Sequence, residues 1–218
     1  LLHAWSVLIG ISVLTTYQHH AIDVPTGILA GALCMWLWPL DGSTPWQRWR
    51  QDGVRHDLAL CYALAAVLLS VGAVVLGASW SPVAWGLWWP AVALLMVALA
   101  YAGLGHGAFQ KQASGRHAVA ARILLAPYRW LAWFNARCWT WRLPASVEVC
   151  DGVWLGRLPL PWERDHVHFE QVLDVTAELD CPHDGVVSVP MLDLLVPSPA
   201  RLHEAARHLM ACRDDRSG

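Results

Sequence analysis

Long apolar runs separated by short polar breaks fill the first half of the chain, and shorter alternating runs fill the second. Leu1 to Leu14 is apolar apart from His3 and a few small polar residues. It is shorter than the roughly 20 residues that cross a bilayer, so it reads as the end of a span that begins earlier. Val24 to Leu40 reaches a span's length when Ile22 and the flanks are counted, with Trp36, Trp38 and Pro39 marking its far interface. Leu58 to Ala78 is almost continuously apolar, and Trp85 to Leu104 follows after a Ser79-Trp80-Ser81-Pro82 turn. The pattern predicts three membrane helices after the partial one. The competing reading is a soluble, all-helical core.

Beyond Ala145 the period changes. Val147-Glu148-Val149 and Val153 to Gly156 read as strands around an Asp151-Gly152 hairpin turn. Val172 to Val175 and Val186 to Pro190 read as further strands, and Ser198 to about Cys212 as a terminal helix. Strands and helices in this order predict an α/β domain.

Charge sharpens the division. Between Leu58 and Val147 there is no Asp or Glu, whereas Glu148, Asp151, Glu163, Asp165, Glu170 and Asp174 crowd the C-terminal part. The formal net charge of −2 therefore hides two opposite halves. Arg48, Arg50 and Arg55, and the acid-free series Lys111, Arg116, Arg122, Arg129, Arg137 and Arg142, assign their loops to the cytoplasm. Residues 117–142 mix Arg with Leu, Trp and Phe at near-helical spacing, which suits an interfacial helix on an anionic leaflet better than a nucleic-acid surface. The six Cys fall in no metal-binding spacing and read as small buried residues. His166, His168 and Glu170 alternate as a strand-borne metal set would, with an exposed polar edge as the simpler account. His56, His106 and His117 flank spans and read as interfacial.

Candidate chemistry concentrates between Thr15 and Gly27, where His19, His20 and Asp23 interrupt two apolar segments. Ionisable groups at a membrane boundary lose hydration and mark functional sites. His19 and Asp23 are four residues apart, so a helical backbone brings both to one face, where the carboxylate can orient the imidazole. The alternative is that Asp23 caps the next helix, with Pro25 in its first turn.

His19-x3-Asp23 ahead of a small-residue apolar helix, with Ser12 seven residues before His19, resembles the last signature of the type 2 phosphatidic acid phosphatase (PAP2) superfamily. The His-His-x-Ile-Asp form is similar to its inositol phosphorylceramide synthase and sphingomyelin synthase branch. The resemblance implies that His19 is the phosphoryl-accepting nucleophile and Asp23 its orienting partner, working on a lipid phosphate or head group. Val13 stands where the family has Arg, and the Lys-x6-Arg-Pro and Ser-Gly-His-like signatures are expected before residue 1. Positive-inside topology assigns His19 and Asp23 to the external leaflet, the periplasmic side of a bacterial inner membrane.

Gly152-Val153-Trp154-Leu155-Gly156-Arg157-Leu158-Pro159, Leu173 to Glu178, Val189 to Leu194 and Pro197 to Leu202 together resemble the first half of a dual-specificity phosphatase domain. The resemblance implies that Asp193 is the general acid protonating the leaving oxygen, with a phosphoprotein or phosphoinositide as substrate. A loop Asp capping the next turn is the alternative. No Cys of this region has Arg six residues later, and the Cys-x5-Arg loop is expected just past Gly218.

The expectation is therefore a partial PAP2-like transmembrane domain over residues 1–107, a basic, Trp-rich interfacial helix over 108–145, and a partial phosphatase-like α/β domain over 146–218, with 105–218 cytoplasmic. Its partners are the bilayer and a lipid phosphate, with no nucleic acid, metal or cofactor. An inactive membrane adaptor and a non-functional fragment of a longer gene are the competing expectations.

Overall fold

The computed structural model describes residues 2–15, 23–40, 42, 44–49, 53–79, 81–150, 152–158, 169, 171–181, 183 and 185–214. It is mostly helical, with a small two-sheet α/β part. The helices are α1 (Leu2–Thr15), α2 (Asp23–Leu37), α3 (His56–Ser79), α4 (Trp88–Leu99), α5 (Val119–Leu124), α6 (Ala126–Thr140) and α7 (Pro199–Asp214). The strands are β1 (Ser146–Cys150), β2 (Val153–Gly156), β3 (Val172–Thr176) and β4 (Val186–Met191).

Two helical stretches, His56–Ala78 and Val83–Phe109, are long and apolar enough to cross a bilayer. Among the described residues α2 is not one of them: its 15 residues rise about 22 Å against a hydrocarbon layer of roughly 30 Å, and Ile22, which the expected span includes, lies outside the described residues. α3 and α4 pack against each other as an antiparallel pair. Small residues are buried on both helices, Ala66 and Ala73 on α3 and Ala93, Val97 and Ala98 on α4. The opposite side of α3 presents Leu60, Leu64, Leu68, Val71 and Val75 to the surroundings, all more than half exposed. A core helix of a soluble protein would bury such a stripe.

α4 ends irregularly because glycine allows it. The backbone passes through a π turn over Ala100–Leu104, where Gly103 has φ 136°, into a 3-10 turn over Gly105–Phe109. This break folds the chain back, and α5 packs along α2. The main core lies here, around the fully buried Tyr101, Phe109, Leu124 and Leu125, with Trp36 of α2 and Ala177 and Leu192 from the α/β part. In it the buried Trp36 Nε1 donates to Ala108 O at 2.8 Å, and outside it the exposed Trp89 Nε1 donates to Ile123 O at 2.9 Å.

Within the stretch expected as an interfacial helix, Ala108, Phe109, Ala120, Ala121, Leu124, Leu125 and Tyr128 are buried in the bundle, and the exposed aromatics lie beyond Tyr128. From there α6 exposes Trp130 and Phe134, and its C-cap Trp141, at 80%, 62% and 69%. The spacing i, i+4, i+11 aligns them on one face, opposite the buried Tyr128.

The α/β part divides in two. β1 and β2 form an antiparallel hairpin, with Gly152 of the turn at φ 77°. β3 and β4 form a separate parallel pair with α7 packed on them. The hairpin is tied to the end of α6 instead: Arg157 Nη1 donates to Thr140 O at 2.5 Å, and Arg137 Nη2 to Leu158 O. Pro190, which lacks an N–H, is tolerated because β4 has one strand neighbour among the described residues. Ser198 caps α7, accepting from Arg201 N at 3.4 Å, with Pro199 in the first helical position.

Candidate functional site

His19 and His20 lie outside the described residues, as do His166, His168 and Glu170. Asp23 opens α2, where its negative charge faces the positive end of the helix dipole, and it is exposed. Thr26 Oγ1 donates to the Asp23 carbonyl at 3.1 Å, tightening the first turn. The helix is anchored at its other end, where Gln110 Nε2 donates to Trp36 O at 2.8 Å. Asp23 is therefore about 20 Å along the axis from that anchor.

Asp193 belongs to the anchored end. It follows β4 in a turn where Leu194 takes φ 58°, a left-handed conformation that a leucine adopts only under constraint. The constraint is visible on both sides of the residue. Asp193 N donates to Glu178 Oε1 at 2.9 Å, and Asp193 O accepts from Tyr101 Oη at 2.8 Å. One residue on, Leu194 O accepts from Arg55 Nη1 at 2.8 Å, while Arg55 also grips Asp57. The Asp193 carboxylate accepts from Leu194 N at 2.9 Å and remains exposed. The backbone is fixed and the acid faces outward. The two candidate acids, Asp23 and Asp193, thus occupy opposite ends of the bundle.

The groups that hold the α/β part in place were not singled out from the sequence. Lys111 is wholly buried, with Nζ 2.5 Å from Asp174 Oδ2. The same ammonium donates to Thr176 O, Thr176 Oγ1 and Leu179 O at 2.5, 3.1 and 2.7 Å. One cation from the helical half therefore organises the loop after β3. His117 is a correction: it is buried at 3% exposure between Asp180 and Ala177 O, because the loop after β3 covers it. Arg129 of α6 grips the other oxygen of Asp180. His106 also meets the C-terminal part, with Nε2 2.6 Å from Arg201 Nη2.

Two carboxyls in this interface move in opposite directions. Burial pushes the Glu178 carboxyl up, against the opposing hydrogen bond from Asp193 N. Burial would also raise Asp180, but hydrogen bonds from the His117 ring and backbone and the charge of Arg129 hold it well below the usual carboxylate range.

Of the five cysteines whose burial is described, Cys34, Cys61, Cys138 and Cys150 are exposed and Cys181 is buried, so the expectation of buried cysteines fails for four of them. No group of three or more His, Cys, Asp or Glu able to hold a metal occurs among the described residues. No local signal marks Lys111, which lies between Gln110 and Gln112, or His117, which follows Arg116, as the residues that would be buried. Compared with known proteins, the chain matches no family model, no curated protein and no solved structure.

Proposed function

We propose that the chain is part of a multi-pass membrane protein of the PAP2 type, acting on a lipid phosphate or phospho-head group. A phosphatase-like α/β unit is fastened to the cytoplasmic end of its helices. The observation that carries the reading is the separation of Asp23 and Asp193 to opposite ends of a bundle whose outer face is apolar. With α3 and α4 spanning, the Arg-bearing ends and residues 105–218 lie on the cytoplasmic side and Asp23 on the external side.

In the proposed reaction His19 attacks phosphorus, the bond to the lipid oxygen breaks, and a phospho-histidine forms while the leaving oxygen takes up a proton. Asp23 orients the imidazole. Water or a second lipid's hydroxyl then attacks phosphorus, loses its proton, and the nitrogen–phosphorus bond breaks to restore His19. Asp193 is the general acid proposed for the cytoplasmic unit, on a phosphoprotein or phosphoinositide.

The test is phosphate release, or head-group transfer, from a lipid phosphate by the protein reconstituted in vesicles. Asp23→Ala should lower the rate by about 10²–10⁴-fold and His19→Ala should abolish it. Turnover that survives both substitutions sinks this assignment. Lipid-phosphate binding with no turnover in the unsubstituted protein points to a membrane adaptor.

A further inference from the structure

His117 is paired across a short bridge with Lys111, at the entrance to α5, and its side chain has no exposure. Nδ1 lies 2.5 Å from Asp180 Oδ1, and Nε2 lies 2.7 Å from Ala177 O. A carbonyl oxygen can only accept a hydrogen bond, and so can an ionised carboxylate. Independently of the ring, the His117 backbone N–H donates to Asp180 Oδ1 and the Arg129 guanidinium pairs with Oδ2, which favours the carboxylate as the acceptor facing Nδ1. A neutral imidazole has one N–H and can satisfy only one of these partners. The other nitrogen would then turn a lone pair toward an oxygen lone pair with no water between them. Flipping the ring would put a carbon in place of each nitrogen and leave both acceptors without an N–H.

We propose that His117 is held as the imidazolium, that its second proton is the bolt fastening the α/β unit to the helical bundle, and that loss of this proton releases the unit. The inference is independent of the chemistry proposed for His19, Asp23 and Asp193. The charged neighbours come from every element around the ring. Asp180 faces it from the loop after β3, and Arg129 reaches from α6 to the far oxygen of Asp180. Lys111 sits across the bridge with Asp174 of β3 against it, and Glu178 follows Ala177 in the chain. The Phe109 ring, at 6.3 Å between centroids, supplies an apolar wall. No second carboxylate is paired with the ring in the described surroundings, so protonation is favoured by one acceptor of each kind, Asp180 and the Ala177 carbonyl.

Two measurements on the full chain in lipid nanodiscs test this. With ¹⁵N-labelled histidine, the His117 ring, assigned by its loss in His117→Gln, should show two protonated nitrogens at about pH 7. A single protonated nitrogen overturns the proposal. Amide exchange over residues 172–192, corrected for intrinsic rates, should lose about tenfold or more of its protection between about pH 6 and about pH 9, and His117→Gln should show no such pH dependence. Unchanged protection in the unsubstituted protein, or the same loss in His117→Gln, overturns it.

Discussion

The ammonium of Lys111 has exchanged all of its water for four oxygens of the C-terminal half. Removing one partner of such a buried pair leaves the other charge uncompensated, which costs about 3–5 kcal/mol. Lys111→Met should therefore lower unfolding stability in detergent by that order, and adding Asp174→Leu should recover much of the loss; a double variant no better than the single would show that the cost lies elsewhere. The interface carboxyls give opposite pH signatures. Asp180, lowered when folded, contributes stability above the unfolded value of about 3.9 that disappears as pH falls toward its folded value. Glu178, raised when folded, costs stability as pH climbs from the unfolded value of about 4.3 toward its folded value. Glu178→Gln should accordingly gain on the unsubstituted protein as pH rises from about 4, whereas Asp180→Asn should lose ground as pH rises up to about 4 and carry a constant deficit above it, in denaturant titrations at a series of pH values. These roles were illegible in the sequence. His117 and Asp180 are 63 positions apart, and nothing in either neighbourhood names the other.

Elements were more legible than the residues joining them. Period-two alternation with a glycine turn locates β1 and β2, and Ser198-Pro199 locates the start of α7, because these signals are written in adjacent residues. Ser198→Ala should cost about 1 kcal/mol, read as fraying of the first turn of α7 by amide exchange. The division into two sheets was not visible, since it depends on where Arg137 and Arg157 find their carbonyl partners. Nor was the burial of α5, whose short run of Ala and Leu becomes core only once the glycine break after α4 turns the chain back. Gly115 marks another such point: it has φ 72°, and a Cβ there would meet the Cys181 carbonyl. Gly115→Ala should cost about 1–3 kcal/mol and loosen the loop after β3 in exchange experiments. The exposed aromatic face of α6 is a proposed bilayer contact. Cys138, exposed beside it, should react more slowly with a water-soluble maleimide in anionic vesicles than in neutral ones. Equal rates at that thiol would remove the contact.

At the scale of the molecule, apolar length and the Arg-rich breaks predict the α3 and α4 crossings, and two helices of sufficient length and apolarity are found. The described part of α2 ends ahead of Trp38-Pro39, where Trp38 packs edge-on against Trp46. The expected boundary near residue 145 follows a change of composition, yet the contacts cross it. Lys111, His117, Arg129, Tyr101 and Arg55 all reach beyond it. The cage around Lys111 has a consequence for how this protein can be divided or inherited. A cassette that is cut and pasted between genes brings its own interior with it. This one borrows the cation at the centre of its first loop from the helices upstream, so a cut at residue 145 would leave an anionic hole where that loop should close. Recombination that moved the C-terminal half alone would deliver an unfinished fold, and a viable exchange would have to carry the stretch from Gln110 onward.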